Sequence, residues 1–194
     1  MTVAVIDSGG ANLGSVVQAL NRLGAESVLT RDARTIREAP RVILPGVGAA
    51  AAAMRSLARD GLVDIVRGLT QPVLGICLGL QLMFERSDEG DTPCLGLLPG
   101  TVRRLPGGPG LRLPHMGWNR LTWSAEDPLA RGLDAEDRFY FVHGYAAPPG
   151  AGVATSRHGS EFAAVVRRGN FAACQFHPEK SAGPGETLLR NFLR

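Results

Sequence analysis

Cysteine, histidine and glutamate side chains in two distant segments of this chain have the types and local settings needed to cut an amide bond. The first segment is Pro72-Val73-Leu74-Gly75-Ile76-Cys77-Leu78-Gly79-Leu80-Gln81, an apolar run that reads as a buried strand turning directly into a helix. A nucleophile at such an elbow projects from the carboxyl edge of the sheet, and Gly75 and Gly79 let the chain bend tightly around it. The helix N-terminus favours thiolate over thiol at Cys77 and leaves the Leu78 N–H free to donate to an oxyanion. Taken alone, the segment fits equally well a small buried cysteine packed between strand and helix.

A thiol nucleophile needs a base, and Gln175-Phe176-His177-Pro178-Glu179-Lys180-Ser181 offers one. Pro178 biases His177 toward extended backbone, in which residues two apart point to the same side, so Glu179 can orient the imidazole and stabilise its protonated form. Nucleophile, base and orienting carboxylate are then all available. A third segment, Val42-Ile43-Leu44-Pro45-Gly46-Val47-Gly48, is another strand end leading into a helix. Gly46 and Gly48 around Val47 allow backbone N–H groups to turn inward toward a developing oxyanion. A plain turn that needs glycine for positive φ accounts for the same residues.

The elements that must position these groups follow from apolar periodicity. Residues 3–7 read as a strand and 12–23 as a helix with Leu13, Val16, Leu20 and Leu23 at helical spacing and Gly24 as its stop. Residues 26–30 and 41–44 read as strands, 49–59 as a helix, 72–76 as a strand and 78–86 as a helix. This run of βα units predicts a parallel sheet. From residue 118 onward the β-like runs 118–123, 139–143, 152–156, 162–167 and 171–176 are separated by turn residues and suit antiparallel hairpins, before a closing helix over 185–194. The expected fold is therefore α/β, with a mostly parallel central sheet flanked by helices and antiparallel strands in the C-terminal half, as one domain over residues 1–194.

Composition narrows the function classes. With 44% hydrophobic and 20% charged residues the chain has enough apolar material for a core, and disorder is not expected. No apolar stretch reaches membrane-spanning length without Gly or Pro and the N-terminus lacks a basic leader, so a cytoplasmic protein without a membrane partner is expected. Cysteines 77, 94 and 174 are odd in number and lack metal-ligand spacing, which fits a reducing compartment and predicts neither a disulfide framework nor a metal site. The net charge of +3 comes from scattered arginines without aromatic interleaving, so nucleic acid is not an expected partner. Lys180 is the sole lysine and directly follows Glu179. Among the remaining histidines, His143 in an apolar strand reads as structural and His158 as a surface residue.

The three segments together resemble the class I glutamine amidotransferases, in which a G-x-C-x-G-x-Q elbow and a later F-H-P-E motif supply Cys, His and Glu. A narrower resemblance, to the glutaminase subunits of imidazole glycerol phosphate synthases, is carried by Pro114-His115-Met116-Gly117-Trp118-Asn119, Tyr140-Phe141-Val142-His143-Gly144-Tyr145 and Lys180-Ser181. The resemblance runs from Asp7 to Lys180. It implies a flavodoxin-like three-layer fold, no cofactor, and hydrolysis of glutamine through a Cys77 thioester with His177 and Glu179. Ammonia would pass to a (β/α)8-barrel cyclase subunit that uses it in histidine biosynthesis. It also implies that the loop of Gly46, Val47 and Gly48 serves the oxyanion with Leu78, that Gln81, Gly144 and Tyr145 hold glutamine, and that Asn12, Trp118, Tyr140 and Lys180 lie toward the cyclase, with His115 near that side. Two departures stand out: the opening segment reads Asp7-Ser8-Gly9-Gly10-Ala11-Asn12, without the family's usual tyrosine, and Gly144 replaces a small hydroxyl residue.

Overall fold

A computed structural model describes residues 2–9 and 13–194. In chain order its helices and strands are β1 (Thr2–Ile6), α1 (Leu13–Arg22), β2 (Glu26–Thr30), α2 (Ala33–Glu38), β3 (Arg41–Gly46), α3 (Ala50–Arg59), α4 (Val63–Arg67), β4 (Val73–Cys77) and α5 (Leu78–Leu82). There follow β5 (Phe84–Ser87), β6 (Thr92–Pro93), β7 (Leu98–Arg104), β8 (His115–Arg120), β9 (Thr122–Trp123), β10 (Arg138–His143) and β11 (Tyr145–Ala146). The last elements are β12 (Gly152–His158), β13 (Ser160–Arg168), β14 (Phe171–Cys174) and α6 (Ala182–Phe192).

The main sheet has the order β2-β1-β3-β4-β14-β13-β12-β9. Pairing is parallel from β2 through β14 and antiparallel from β14 outward. Its central strands β1, β3, β4 and β14 are apolar on both faces because both faces are covered, as a helix-flanked sheet requires. Alternation then sorts the side chains into two layers. Ala4, Ile6, Val42, Leu44 and Val73 pack with Ile36 of α2, Leu57 of α3 and Val66 of α4. Val3, Val5, Ile43, Leu74 and Ile76 pack with Leu20 of α1 and Leu188, Leu189 and Phe192 of α6. The expected α/β architecture with antiparallel C-terminal strands is what is found.

One strand from the C-terminal half crosses the expected division. β14 pairs in parallel with β4, Cys174 opposite Ile76, so the chain leaves β14 beside the point where it leaves β4 at Cys77. That pairing brings the two distant motifs together. A second difference lies in the helix expected over 78–86, which stops at Leu82. The carbonyls of Leu82, Met83 and Phe84 instead accept bonds from the amides of Leu95, Leu97, Leu98 and Gly96, and residues 84–87 become β5 alongside β7. Tertiary pairing overrides a helical pattern of good local propensity. The β5, β6, β7 and β11 sheet and the β8–β10 ribbon are separate from the main sheet, and the turn carrying Glu89 and the β10 end at Val142 and His143 both reach the site. Among the described residues no helix is long and apolar enough to cross a membrane.

Candidate active site

β3, β4 and β14 end side by side, and the turns that leave their carboxyl ends build the walls and floor of a common cavity. At the end of β4, Cys77 has φ 54° and ψ −106°, the strained backbone of a nucleophile elbow. Gly75 and Gly79 are required for close packing rather than for the bend itself. A Cβ on Gly79 would come within 1.8 Å of the Leu44 carbonyl oxygen, and one on Gly75 within 2.9 Å of Ala173 Cβ and the Gly79 backbone. α5 can therefore dock onto β3 and β4 only without side chains at these two positions. Leu78, first in α5, lines the cavity with its N–H at the unpaired end of the helix.

After β14 the chain turns at His177, whose backbone is extended, as Pro178 requires. Glu179 is reached through a short 3-10 turn over Pro178–Lys180 and not by continued extension. The contact forms nonetheless: His177 Nδ1 lies 2.8 Å from Glu179 Oε1, with both side chains buried. Glu179 Oε2 is buried and has no partner among the described residues. The turn is stitched in place by Ser181, fully buried, whose Oγ donates to the His177 carbonyl at 2.6 Å and accepts from the Tyr140 N–H at 2.9 Å. A Cβ on Gly185 would lie 2.0 Å from the Pro178 carbonyl oxygen, so α6 packs against the turn at the one residue small enough.

Burial alone would depress the His177 imidazolium, yet interactions with Cys77 and Glu179 outweigh it and raise its pKa to about 10. The Cys77 thiol makes a hydrogen bond over 3.7 Å to the Val142 carbonyl, with His177 the base to which it is coupled. Burial pushes the Cys94 thiol up to about 11 and drives Cys174 well above the ordinary thiol range.

The cavity in front of Cys77 has a volume of about 280 Å³. It gathers Val47, Gly48, Cys77, Leu78, Gln81, Gly144, Tyr145, His177 and Lys180 from the sequence expectations. Val47 and Gly48, the latter at φ +92°, have backbone N–H groups without hydrogen-bond partners among the described residues. Gly46 stands behind them, paired with Cys77 at the end of β3, and its absent side chain makes room for Leu78. Gln81 is buried and donates through Nε2 to the Tyr145 carbonyl at 2.9 Å. Trp118 and Tyr140 lie outside the cavity on the β8–β10 ribbon, their rings 5.7 Å apart, with Met116 and Trp118 among the few exposed large apolar residues. Asn12 lies outside the described residues.

Two groups at the site have no counterpart among the sequence expectations. Glu89 is the only carboxylate lining the cavity among the described residues, and its Oε2 caps the Ala50 N–H of α3 at 2.8 Å. No motif spacing announces it, because the turn that carries it comes to the cavity only through β5. Gln175 is fully buried beside Cys77, just past the end of β14. His115 is buried rather than turned outward: its Nδ1 lies 3.1 Å from His143 Nε2 and its ring stacks on His158 at 4.2 Å. His143 Nδ1 is 2.8 Å from the Tyr145 carbonyl, so it is structural, as its apolar strand predicts. His158 is only partly exposed, with Nε2 2.8 Å from the Arg112 carbonyl.

Residues 4–194 match the protein family "Glutamine amidotransferase class-I". The chain belongs to that family. This amidotransferase is 56% identical over 192 residues, 98% of its length and 96% of the relative's, to "Imidazole glycerol phosphate synthase subunit HisH" of Xanthomonas euvesicatoria pv. vesicatoria (strain 85-10). It is 55% identical, with the same coverage, to the protein of that description in Xylella fastidiosa (strain Temecula1 / ATCC 700964). Among solved structures, "Crystal structure of glutamine amidotransferase" superimposes with a TM-score of 0.73 at 23% identity, covering 98% of this chain and 96% of that one. "Structure of PurLQS from Thermotoga maritima" gives a TM-score of 0.72 at 20% identity, covering 99% and 97%. At these identities the structural matches speak for the fold alone.

Proposed function

We propose that this amidotransferase is the glutaminase subunit of an imidazole glycerol phosphate synthase, releasing ammonia from glutamine for a cyclase subunit in histidine biosynthesis. The observation that carries the chemistry is the elbow cysteine sharing a cavity with a buried His177–Glu179 pair 2.8 Å apart. The full-length identity to relatives of that description supports the pathway and, since they are subunits, a partner.

In this reading Cys77 thiolate attacks the carboxamide carbon of glutamine, and the N–H groups of Leu78 and of Val47 or Gly48 hold the oxyanion. His177, steadied by Glu179, protonates the nitrogen, the C–N bond breaks, and ammonia leaves with a γ-glutamyl thioester on Cys77. Water, deprotonated by the same imidazole, attacks the thioester; glutamate departs and the thiolate returns. Gln81 and the Gly144–Tyr145 backbone hold the substrate, and Glu89 is the anionic counterpart for its α-ammonium group. The partner is a (β/α)8-barrel cyclase. Met116, Trp118 and Tyr140 form the apolar part of the face turned to it and Lys180, exposed at the cavity rim, its cationic part. An ammonium on a flexible stem suits a contact that does not call for the planar geometry of a guanidinium.

The test is glutamate release from glutamine by wild type and Cys77→Ala, with and without the cognate cyclase and its nucleotide ligand. A ligand-stimulated rate that vanishes in the variant is expected. Activity indifferent to that cyclase would reassign the partner, and no Cys77-dependent release under any condition would leave a scaffold in place of an enzyme.

A further inference from the structure

Gln175 is fully buried at the end of β14, one step beyond the Cys174–Ile76 pairing and hence beside Cys77. A primary amide taken out of water demands hydrogen-bond partners. Both of those found belong to the active site. Its Nε2 approaches Cys77 Sγ at 3.7 Å, and its Oε1 accepts from Gln81 Nε2 at 3.1 Å. Gln81 Nε2 also donates to the Tyr145 carbonyl, which faces His143 Nδ1, and His143 Nε2 faces His115 Nδ1. Both N–H groups of the Gln81 amide are thus occupied within the protein, and only its Oε1 remains for a ligand.

We propose that Gln175 is a positioning residue for the nucleophile, its amide donating to the Cys77 sulfur while its carbonyl fixes Gln81 with an acceptor presented to the substrate. The bond to sulfur strengthens when the thiol ionises, because a charged acceptor roughly doubles a hydrogen bond. It also holds Sγ at the cavity floor during attack. The carbonyl end acts on the other partner: with Gln81 pinned, the cavity offers an oxygen to a donor group of the substrate. A glutamine serving only as filler would be replaceable by a side chain of similar shape without effect on either property.

The inference rests on Cys77 as the nucleophile, but its test uses neither glutamine nor a partner. The rate of Cys77 alkylation by iodoacetamide is followed against pH for wild type, Gln175→Glu and Gln175→Met, with Cys77→Ala as the blank. Gln175→Glu keeps the shape and an oxygen toward Gln81 but turns an oxygen to the sulfur in place of N–H. Its alkylation midpoint is expected to move up by about one pH unit or more, a roughly tenfold slower reaction below the midpoint. Gln175→Met removes both bonds. It is expected to shift the midpoint in the same direction and, in the glutaminase assay, to raise KM as well as lower kcat, whereas Gln175→Glu acts mainly on kcat. Folded variants whose alkylation profiles superimpose on wild type would overturn the proposal. Should both variants fail to fold, the side-chain amide resonances of Gln175 in the native protein decide. They are expected to follow the Cys77 titration, and a flat response would overturn the assignment. Failure of glutaminase activity in wild type would sink the enzyme reading while leaving this thiol measurement interpretable.

Discussion

Two histidines face the same cavity from opposite walls, each with 5% of its surface exposed, and the protein drives them to opposite protonation states. Burial pushes both toward the neutral form. On the turn after β14, His177 meets the Glu179 carboxylate and the Cys77 sulfur, and its pKa rises to about 10. On the β10 wall, His143 meets a carbonyl and a second histidine, and its pKa falls to about 3. His115 behind it falls to about 4, through burial and then the nearby His158. The difference is the charge of the partner. An imidazole that must carry a proton is paired with an anion, whereas one that must hold the Tyr145 backbone is paired with neutral groups that fix its tautomer.

The strongest way to break this contrast is to make the two walls alike. Glu179→Gln leaves the shape of the His177 partner intact but removes its charge and allows the wrong tautomer at Nδ1. A fall in kcat of about 10³–10⁴ with KM little changed is expected, by analogy with the orienting carboxylates of serine-protease triads. Steady-state glutaminase kinetics of wild type and variant measure it. A loss of only a few fold would mean that Glu179 anchors the turn and does not orient the base.

A smaller effect tests both walls at once through the pH dependence of stability. His143 and His115 have depressed pKa values, so between pH 6.5 and about 4 the unfolded chain binds more protons than the folded one, and stability falls on acidification. The loss is on the order of 2 kcal/mol for each histidine by pH 4.5, because only the part of each shift between pH 6.5 and 4.5 has been drawn on there. His177 has the opposite sign: its raised pKa contributes stability that is fully present below pH 6.5 and is lost as pH climbs toward about 10. Urea unfolding from pH 4.5 to 9.5 should show a maximum between these windows. The double variant His115→Gln, His143→Gln should flatten the acid limb only. An acid limb unchanged in that variant would assign it to carboxylates elsewhere.

The contrast also separates what the sequence discloses from what it conceals. Cys77, His177 and Glu179 are legible because residue type, a strand-to-helix turn and a proline restrict what they can do. The β10 wall is not. His143 reads as structural from its apolar strand, but its pairing with His115 depends on the β8–β10 register, in which the two stand directly opposite. Gln175 reaches Cys77 by way of β14 beside β4, and Glu89 reaches the cavity by way of β5 beside β7, two non-local pairings that no period of hydrophobicity encodes. The overlong helix after Leu78 fails for the same reason: what ends it is a set of amides more than ten residues further along the chain. The α/β alternation is legible because short amphipathic repeats report directly on which face is covered.

The smallest effect concerns Gly144, where the chain leaves β10 and lines the cavity. A Cβ there would meet nothing within 4 Å, and the residue is not in the left-handed region, so a side chain can be added without strain. Its carbonyl accepts from Leu105 N–H at 2.9 Å, which holds the strand end independently of any side chain. Gly144→Thr should therefore raise stability by about 0.5–1 kcal/mol through the unfolded state. If the added hydroxyl reaches glutamine, KM falls by a few fold, the worth of one ordinary hydrogen bond, with kcat unchanged. An unchanged KM would mean that this wall binds through its backbone alone, with His143 and His115 as the groups that hold that backbone in position. A raised KM would mean that the open space beside Gly144 is occupied by the substrate itself, and that the glycine is a shape requirement of the wall whose histidines carry no charge.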